Sequence, residues 1–233
     1  MAVISNVFFG MQIPLTSYQQ VIFSIVHDVI MSTALMYEKA ESDLMTRKPR
    51  NIRKDKLVDW KFFAQLYLFI GVMIWMSCFG MFFLYWKTQG FGFYDLMFAY
   101  DTWGSNYSGS AADLATMLAT SQSVFYVTMI IMQLGNILAT RNRRVSILES
   151  NPFKGPRKNL VLIAAMVLHI VVGVINVYVS TSPGDPNIFQ FGAVPAQYWF
   201  IPIPLAFGLL VCDEVRKLAV RTYPKSWIAK AAW

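Results

Sequence analysis

Charge is what this sequence has little of. Asp, Glu, Lys and Arg make up 14% of its 233 residues, where a soluble domain carries about 25%. A water-soluble globule of this size could not cover its surface with so few. With 56% hydrophobic residues, intrinsic disorder is excluded as well. Cysteine is nearly absent, which excludes a disulfide scaffold. The two present, Cys78 and Cys212, fall inside apolar runs, where a thiol is expected to act as a small buried hydrophobe. Histidine is equally scarce, with two residues. The sequence holds no glycine-rich phosphate loop and no internal repeat. What it has in abundance is apolar sequence, and the class that fits is an all-α, polytopic membrane helix bundle.

A bilayer core takes about 20 apolar residues per helix. Five stretches qualify, at about 18–36, 62–86, 120–139, 160–180 and 198–215. An apolar stub, Val3 to Leu15, precedes them and is too short and broken to span. Residues 1–17 therefore read as a stub and 18–233 as one membrane domain. The basic residues set an orientation. Eight of the 20 lie from Lys39 to Lys61, six from Arg141 to Lys158 and five from Arg216 to Lys230. Only Lys87 is left for the other side, which carries Asp95, Asp101, Asp113 and Asp185. The C-terminus is expected to be cytoplasmic and, with five spans, the N-terminus outer or luminal. The net charge of +7 is then an orientation signal. No nucleic-acid partner is expected, because the basic residues sit beside spans and lack a binding fold.

The loops carry two modification signals. Asn106-Tyr107-Ser108 is a glycosylation sequon in the glycine-, serine- and aspartate-rich 87–118 loop. Arg143-Arg144-Val145-Ser146 would suit a basophilic kinase at Ser146, but the favoured reading is a solvated basic anchor. No positively charged leader precedes the stub, so no cleaved signal peptide is expected. Aromatic and methionine residues along 62–86 read as a packing surface. Tyr198, Trp199 and Trp227 suit interfacial belts, and Pro202 and Pro204 should kink the last helix.

Longer runs carry a resemblance. Tyr37-Glu38-Lys39-Ala40-Glu41-Ser42-Asp43-Leu44-Met45, then Arg47-Lys48-Pro49-Arg50-Asn51 and Asp55-Lys56-Leu57-Val58, resemble the loop after the sixth membrane helix of sodium, potassium-pump and proton, potassium-pump α-subunits. Gln133 to Ser146 resembles the end of their eighth helix and its basic loop. Asp213-Glu214-Val215-Arg216-Lys217-Leu218, with Arg221, Pro224 and Trp227, resembles the close of their tenth helix and tail. The order and spacing agree over nearly the whole chain. The resemblance implies the sixth to tenth helices of a P-type cation ATPase. The family's phosphorylated Asp-Lys-Thr-Gly-Thr, nucleotide domain and Thr-Gly-Glu actuator motif do not occur in this sequence. The resemblance thus implies no catalytic residue, no cofactor and no ATP hydrolysis by this stretch alone.

The same resemblance singles out the polar residues within the spans. Asp28, the only acidic residue deep in a span, falls on the second of two cation-binding aspartates of the sixth pump helix. The first is Ser24 here, and the threonine before the second is His27. Gln133 keeps a pump glutamine, but the acidic position three residues on is Asn136, and an acidic position on the ninth helix becomes His169. Gln20, Ser24 and Asp28, spaced i, i+4, i+8, would line one helical stripe, either an ion path or a hydrogen-bonded contact. Gln20, Ser24, His27, Asp28, Gln133, Asn136 and His169 are thus expected as what remains of a cation path. Two histidines and one carboxylate on separate spans do not make a metal cluster.

The expected function is a non-catalytic accessory subunit of a larger membrane complex. The alternatives are a separately encoded membrane half of a working cation pump, and a stand-alone ion or proton channel. The expected partners are the lipid bilayer, other membrane subunits, and by resemblance a chain carrying the P-type cytoplasmic domains or a β-like subunit at the 87–118 loop. Asn106-Tyr107-Ser108-Gly109 is a distant echo of the pumps' Ser-Tyr-Gly-Gln contact for that subunit. The sequence does not say which membrane holds the chain.

Overall fold

A computed structural model describes residues 2–39, 59–100, 103–104, 107, 109–142, 145–147, 149–153, 158–179 and 190–223. Asn106, Arg143, Arg144, the basic run 40–58 and the tail from Pro224 lie outside the described residues. Among those described, all regular structure is helical. A short helix, α1 (Ala2–Phe9), is followed by six more, five of them long. These are α2 (Ser17–Met36), α3 (Trp60–Thr88), a one-turn α4 (Phe93–Leu96) beyond it, α5 (Ala111–Thr140), α6 (Leu160–Val179) and α7 (Gln197–Thr222). All but α4 of this last group are long and apolar enough to cross a membrane. The five spans fall where hydropathy puts them. The stub is α1, ended by Gly10 at φ +59, where the ring of Tyr100 lies so close that an added Cβ would stand 2.7 Å from it.

Local chemistry fixes the helix starts. Thr16 caps α2 in a reciprocal box with Gln19, each side chain bonded to the other's backbone N–H at 3.2 Å. Asp59 caps α3, Ser110 caps α5, and the Asn159 side-chain oxygen accepts from Leu162 N at the head of α6. Within α5 the hydroxyls of Thr116, Thr120, Ser123, Thr128 and Thr140 each donate to the carbonyl one turn back. That is how a span with so many hydroxyls leaves none of those five donors unsatisfied in an apolar surrounding. In α7 a single turn residue, Ile201, interrupts the helix before Pro202, so the expected irregularity lies at the prolines.

The bundle is organised around α5. Two thirds of its apolar stretch (67%) is buried, against 22–28% in each of the other spans. Gly135 brings it against α7 so closely that an added Cβ would stand 2.6 Å from the Ala206 carbonyl oxygen. Phe125 meets Phe79 and Phe82 of α3 edge-on, with ring centres 5.4 and 6.5 Å apart. On α6, Gly173 makes room for Ile130. A smaller cluster, Met31, Ala34, Ile137, Leu162 and Ala165, joins α2, α5 and α6. Cys78 is buried as expected. Cys212 is exposed, which corrects the expectation that it is buried.

The charged helix ends meet at one end of the bundle. Arg141 pairs with Glu38 at 2.6 Å, and Asn159 donates to Glu38 at 3.0 Å. Lys217 Nζ donates to the Ala139 carbonyl at 2.7 Å and pairs with Asp213 at 2.9 Å. Arg216 pairs with Asp213 at 2.8 Å. The other ends meet through uncharged groups: Gln122 donates to Ile13 O at 2.7 Å, Gly192 N to Ser123 Oγ at 2.8 Å, and Thr88 bonds Tyr198 at 3.0 Å. The five spans therefore alternate in direction.

Candidate functional site at the centre of the bundle

The polar residues of the spans are placed by a break in helical rhythm. Over Phe23–His27 α2 widens into a π turn, closed by a bond from Asp28 N to Phe23 O. Such single wide turns often mark functional positions. One extra residue per turn changes which side chains share a face. Gln20 and Ser24 remain together and line a cavity of about 330 Å³ with Phe23, Trp75, Cys78 and Phe125. Asp28 leaves their stripe, and its Oδ1 accepts from Gln133 Nε2 of α5 at 3.2 Å. Gln133 Oε1 in turn accepts from Asn136 Nδ2 at 3.2 Å. The carboxylate thus terminates a chain of amide donors, and Gln20 and Ser24 are not part of it.

His27 turns the other way and is fully buried. Its Nδ1 lies 2.9 Å from Nδ1 of His169 on α6, with ring centres 4.4 Å apart. Its Nε2 lies 2.7 Å from the Tyr126 hydroxyl of α5. His169, equally buried, has its Nε2 3.1 Å from the Ile130 carbonyl oxygen. Tyr126 also accepts from Asn176 Nδ2 at 3.2 Å. The protein's two histidines therefore touch each other at mid-span, joined to three helices. Phe23 packs on His27 at 5.7 Å, and Phe191 closes on Tyr126 at 5.0 Å.

Sequence reasoning picked out His27, His169, Asp28, Gln133 and Asn136 but not how they divide into two groups. It missed Tyr126 and Asn176. The signal for Asn176 was present: it and His169 stand seven residues apart, on one face of an otherwise apolar helix. Tyr126 carried none, since tyrosine is ordinary in a buried span. At the charged end, Asp213, Glu214, Arg216 and Lys217 form an ion-pair patch in which Asp213 and Lys217 are buried (2% and 1% exposed). Ser146 is held there as well: its hydroxyl donates to Glu214 Oε2 at 2.6 Å, and Ile147 N donates to Glu214 Oε1 at 3.1 Å.

A bundle of five apolar spans with a sparse polar centre is a polytopic membrane domain, and sequence comparison gives its family. The family model for the cation transporting ATPase C-terminus matches residues 12–219. The chain is 32% identical to human potassium-transporting ATPase alpha chain 2 over 94% of its length. It is 32% identical to Xenopus laevis potassium-transporting ATPase alpha chain 1 over 87%, and 26% identical to human sodium/potassium-transporting ATPase subunit alpha-4 over 96%. The chain belongs to the cation-transporting ATPase family, as the part corresponding to its C-terminal membrane region, and is an integral, multi-pass membrane protein. It spans about a fifth of the length of these curated relatives (21%, 20% and 22%).

Proposed function

We propose that this chain works as a non-catalytic membrane module, an accessory subunit of a larger membrane complex. The observation that carries this reading is the polar centre. A dehydrated alkali ion needs about six oxygens around it, with carboxylates supplying charge. Here one carboxylate, Asp28, accepts from an amide, and the rest of the centre is an imidazole pair bonded to a phenol and a carbonyl. Imidazole nitrogen is a poor ligand for an alkali ion. In this reading the charged end of the bundle faces the cytoplasm, following the basic loops. The opposite end, with the 87–118 loop, faces a β-like or other membrane partner.

The test is the composition of the complex. The chain, tagged and purified from its native membrane in mild detergent, should bring down subunits that lack Asp-Lys-Thr-Gly-Thr. Recovery of a partner bearing that motif would favour the second reading, a separately encoded half of a working pump. One feature supports that alternative: Trp75 lines the cavity beside Gln20 and Ser24, and its indole N–H is buried without a hydrogen-bond partner among the described residues. A helix from another chain, offering a carbonyl or hydroxyl there, would satisfy it.

A further inference from the structure

We propose that His27 and His169 form a single-proton site, a buried pair that accepts one proton beyond its neutral complement, with Tyr126 and Asn176 as the groups that reorient to admit it. Hydrogen-bond directions follow from one fixed point. The Ile130 carbonyl only accepts, so His169 Nε2 carries hydrogen. In a neutral ring, His169 Nδ1 is then bare and must accept, so His27 donates from Nδ1 across the 2.9 Å contact. That leaves His27 Nε2 bare, and it accepts from the Tyr126 hydroxyl, whose oxygen accepts from Asn176. Every donor in this chain has an acceptor. The two rings are held in opposite tautomers.

One more proton has one place to go. Of the two bare nitrogens, His169 Nδ1 is already occupied by the hydrogen from His27. His27 Nε2 faces a hydroxyl, which can turn from donor to acceptor. The proton moves from a water-borne hydronium to His27 Nε2. Tyr126 then donates to the Asn176 side-chain oxygen, after that amide turns over. No other bond changes, and the positive charge is shared along the surviving Nδ1–H···Nδ1 contact. A second proton is excluded: it would set two N–H groups and two charges against each other at 2.9 Å. The pair therefore titrates as a unit.

The other titratable groups around it are few. From α5 it is faced by Tyr126 and from α6 by His169 itself. Asp28 adjoins it on α2 with its carboxylate bonded to Gln133, and Tyr18 shares the ring of Phe191 with Tyr126. Proton uptake rewrites side chains on three spans at once, so the site couples protonation to the packing of α2, α5 and α6. This holds for an accessory subunit and for a pump half alike.

The sequence makes the test clean, because it contains two histidines and no more. The full chain, labelled with ¹⁵N-histidine and placed in lipid nanodiscs, gives four ring-nitrogen signals, all from this site. At about pH 8 two should be protonated and two bare, one Nδ1–H ring and one Nε2–H ring, with a nitrogen–nitrogen correlation across the contact. On lowering the pH stepwise over the range in which the chain stays folded, one further nitrogen should become protonated and the correlation should persist. Two rings in the same tautomer, no correlation, no uptake, or protonation of all four nitrogens would each overturn the proposal. Tyr126→Phe keeps the ring contact but denies the added N–H an acceptor, so uptake should move at least tenfold in proton concentration toward acid. Uptake at the unaltered pH in that variant would remove Tyr126 from the site.

Discussion

Lys217→Met is the perturbation with the most determinate cost. The ammonium is 1% exposed, hydrogen-bonded to the Ala139 carbonyl at 2.7 Å and to Glu214 at 3.4 Å, and ion-paired with Asp213 at 2.9 Å. Methionine keeps the apolar stem and its volume, so packing changes little. The charge is lost. Removing one member of a buried pair costs about 3–5 kcal/mol, because the other charge is left uncompensated. Asp213 keeps Arg216 at 2.8 Å, which puts the cost near the lower end, about 3 kcal/mol or a factor of about 100 in the unfolding equilibrium. The double variant Asp213→Asn with Lys217→Met removes both charges. It should recover about one to two thirds of the loss, leaving the orphaned Ala139 carbonyl and the lost Arg216 bond, about 1–2 kcal/mol together. The assay is reversible unfolding in mixed micelles of dodecyl maltoside and SDS, read by tryptophan fluorescence. A single variant within about 0.5 kcal/mol of wild type would refute the reasoning, as would a double variant whose cost is the sum of the singles.

Three further outcomes follow from the same geometry. Gly135→Leu forces the backbones of α5 and α7 apart at Ala206, so it should cost about 3 kcal/mol or more in the same unfolding assay, while Gly80→Leu, which meets open space, should cost little. Ser146→Ala removes a hydrogen bond to a carboxylate, an expected loss of about 1.5–3 kcal/mol, and Ser146→Asp, which sets a second carboxylate against Glu214, should cost more than the alanine. Asp28→Asn should leave the complex assembled and active, since an amide oxygen still accepts from Gln133; loss of function with assembly intact, or loss of an ion conductance from liposomes, would instead assign that carboxylate a transport role.

Much of the fold was legible because hydrophobic length and charge bias are properties of single segments. The five spans and the irregularity at Pro202 follow from local composition. The centre was less legible because it depends on contacts between segments. Regular spacing puts Gln20, Ser24 and Asp28 on one stripe; the wide turn over Phe23–His27 breaks it, and no proline or glycine in that turn announces the break. Glutamines 19 and 20 look alike in sequence, yet Gln19 is buried in the cap and Gln20 lines the cavity. The meeting of His27 with His169 spans 142 positions in the chain, and no periodicity reports on that. The burial of Asp213 and Lys217 was hidden for a related reason: mixed charges at a helix end read as solvated until the neighbouring helix closes over them.

The most direct measurement is phosphate transfer. The purified native complex, exposed to γ-labelled ATP with magnesium and then quenched in acid, reveals any acyl phosphate as a protein-bound label that hydroxylamine removes. An accessory module in a complex without pump machinery predicts no such label on any subunit. A hydroxylamine-sensitive, vanadate-suppressed band, whether on a partner or on a longer polypeptide that contains this sequence, would contradict it.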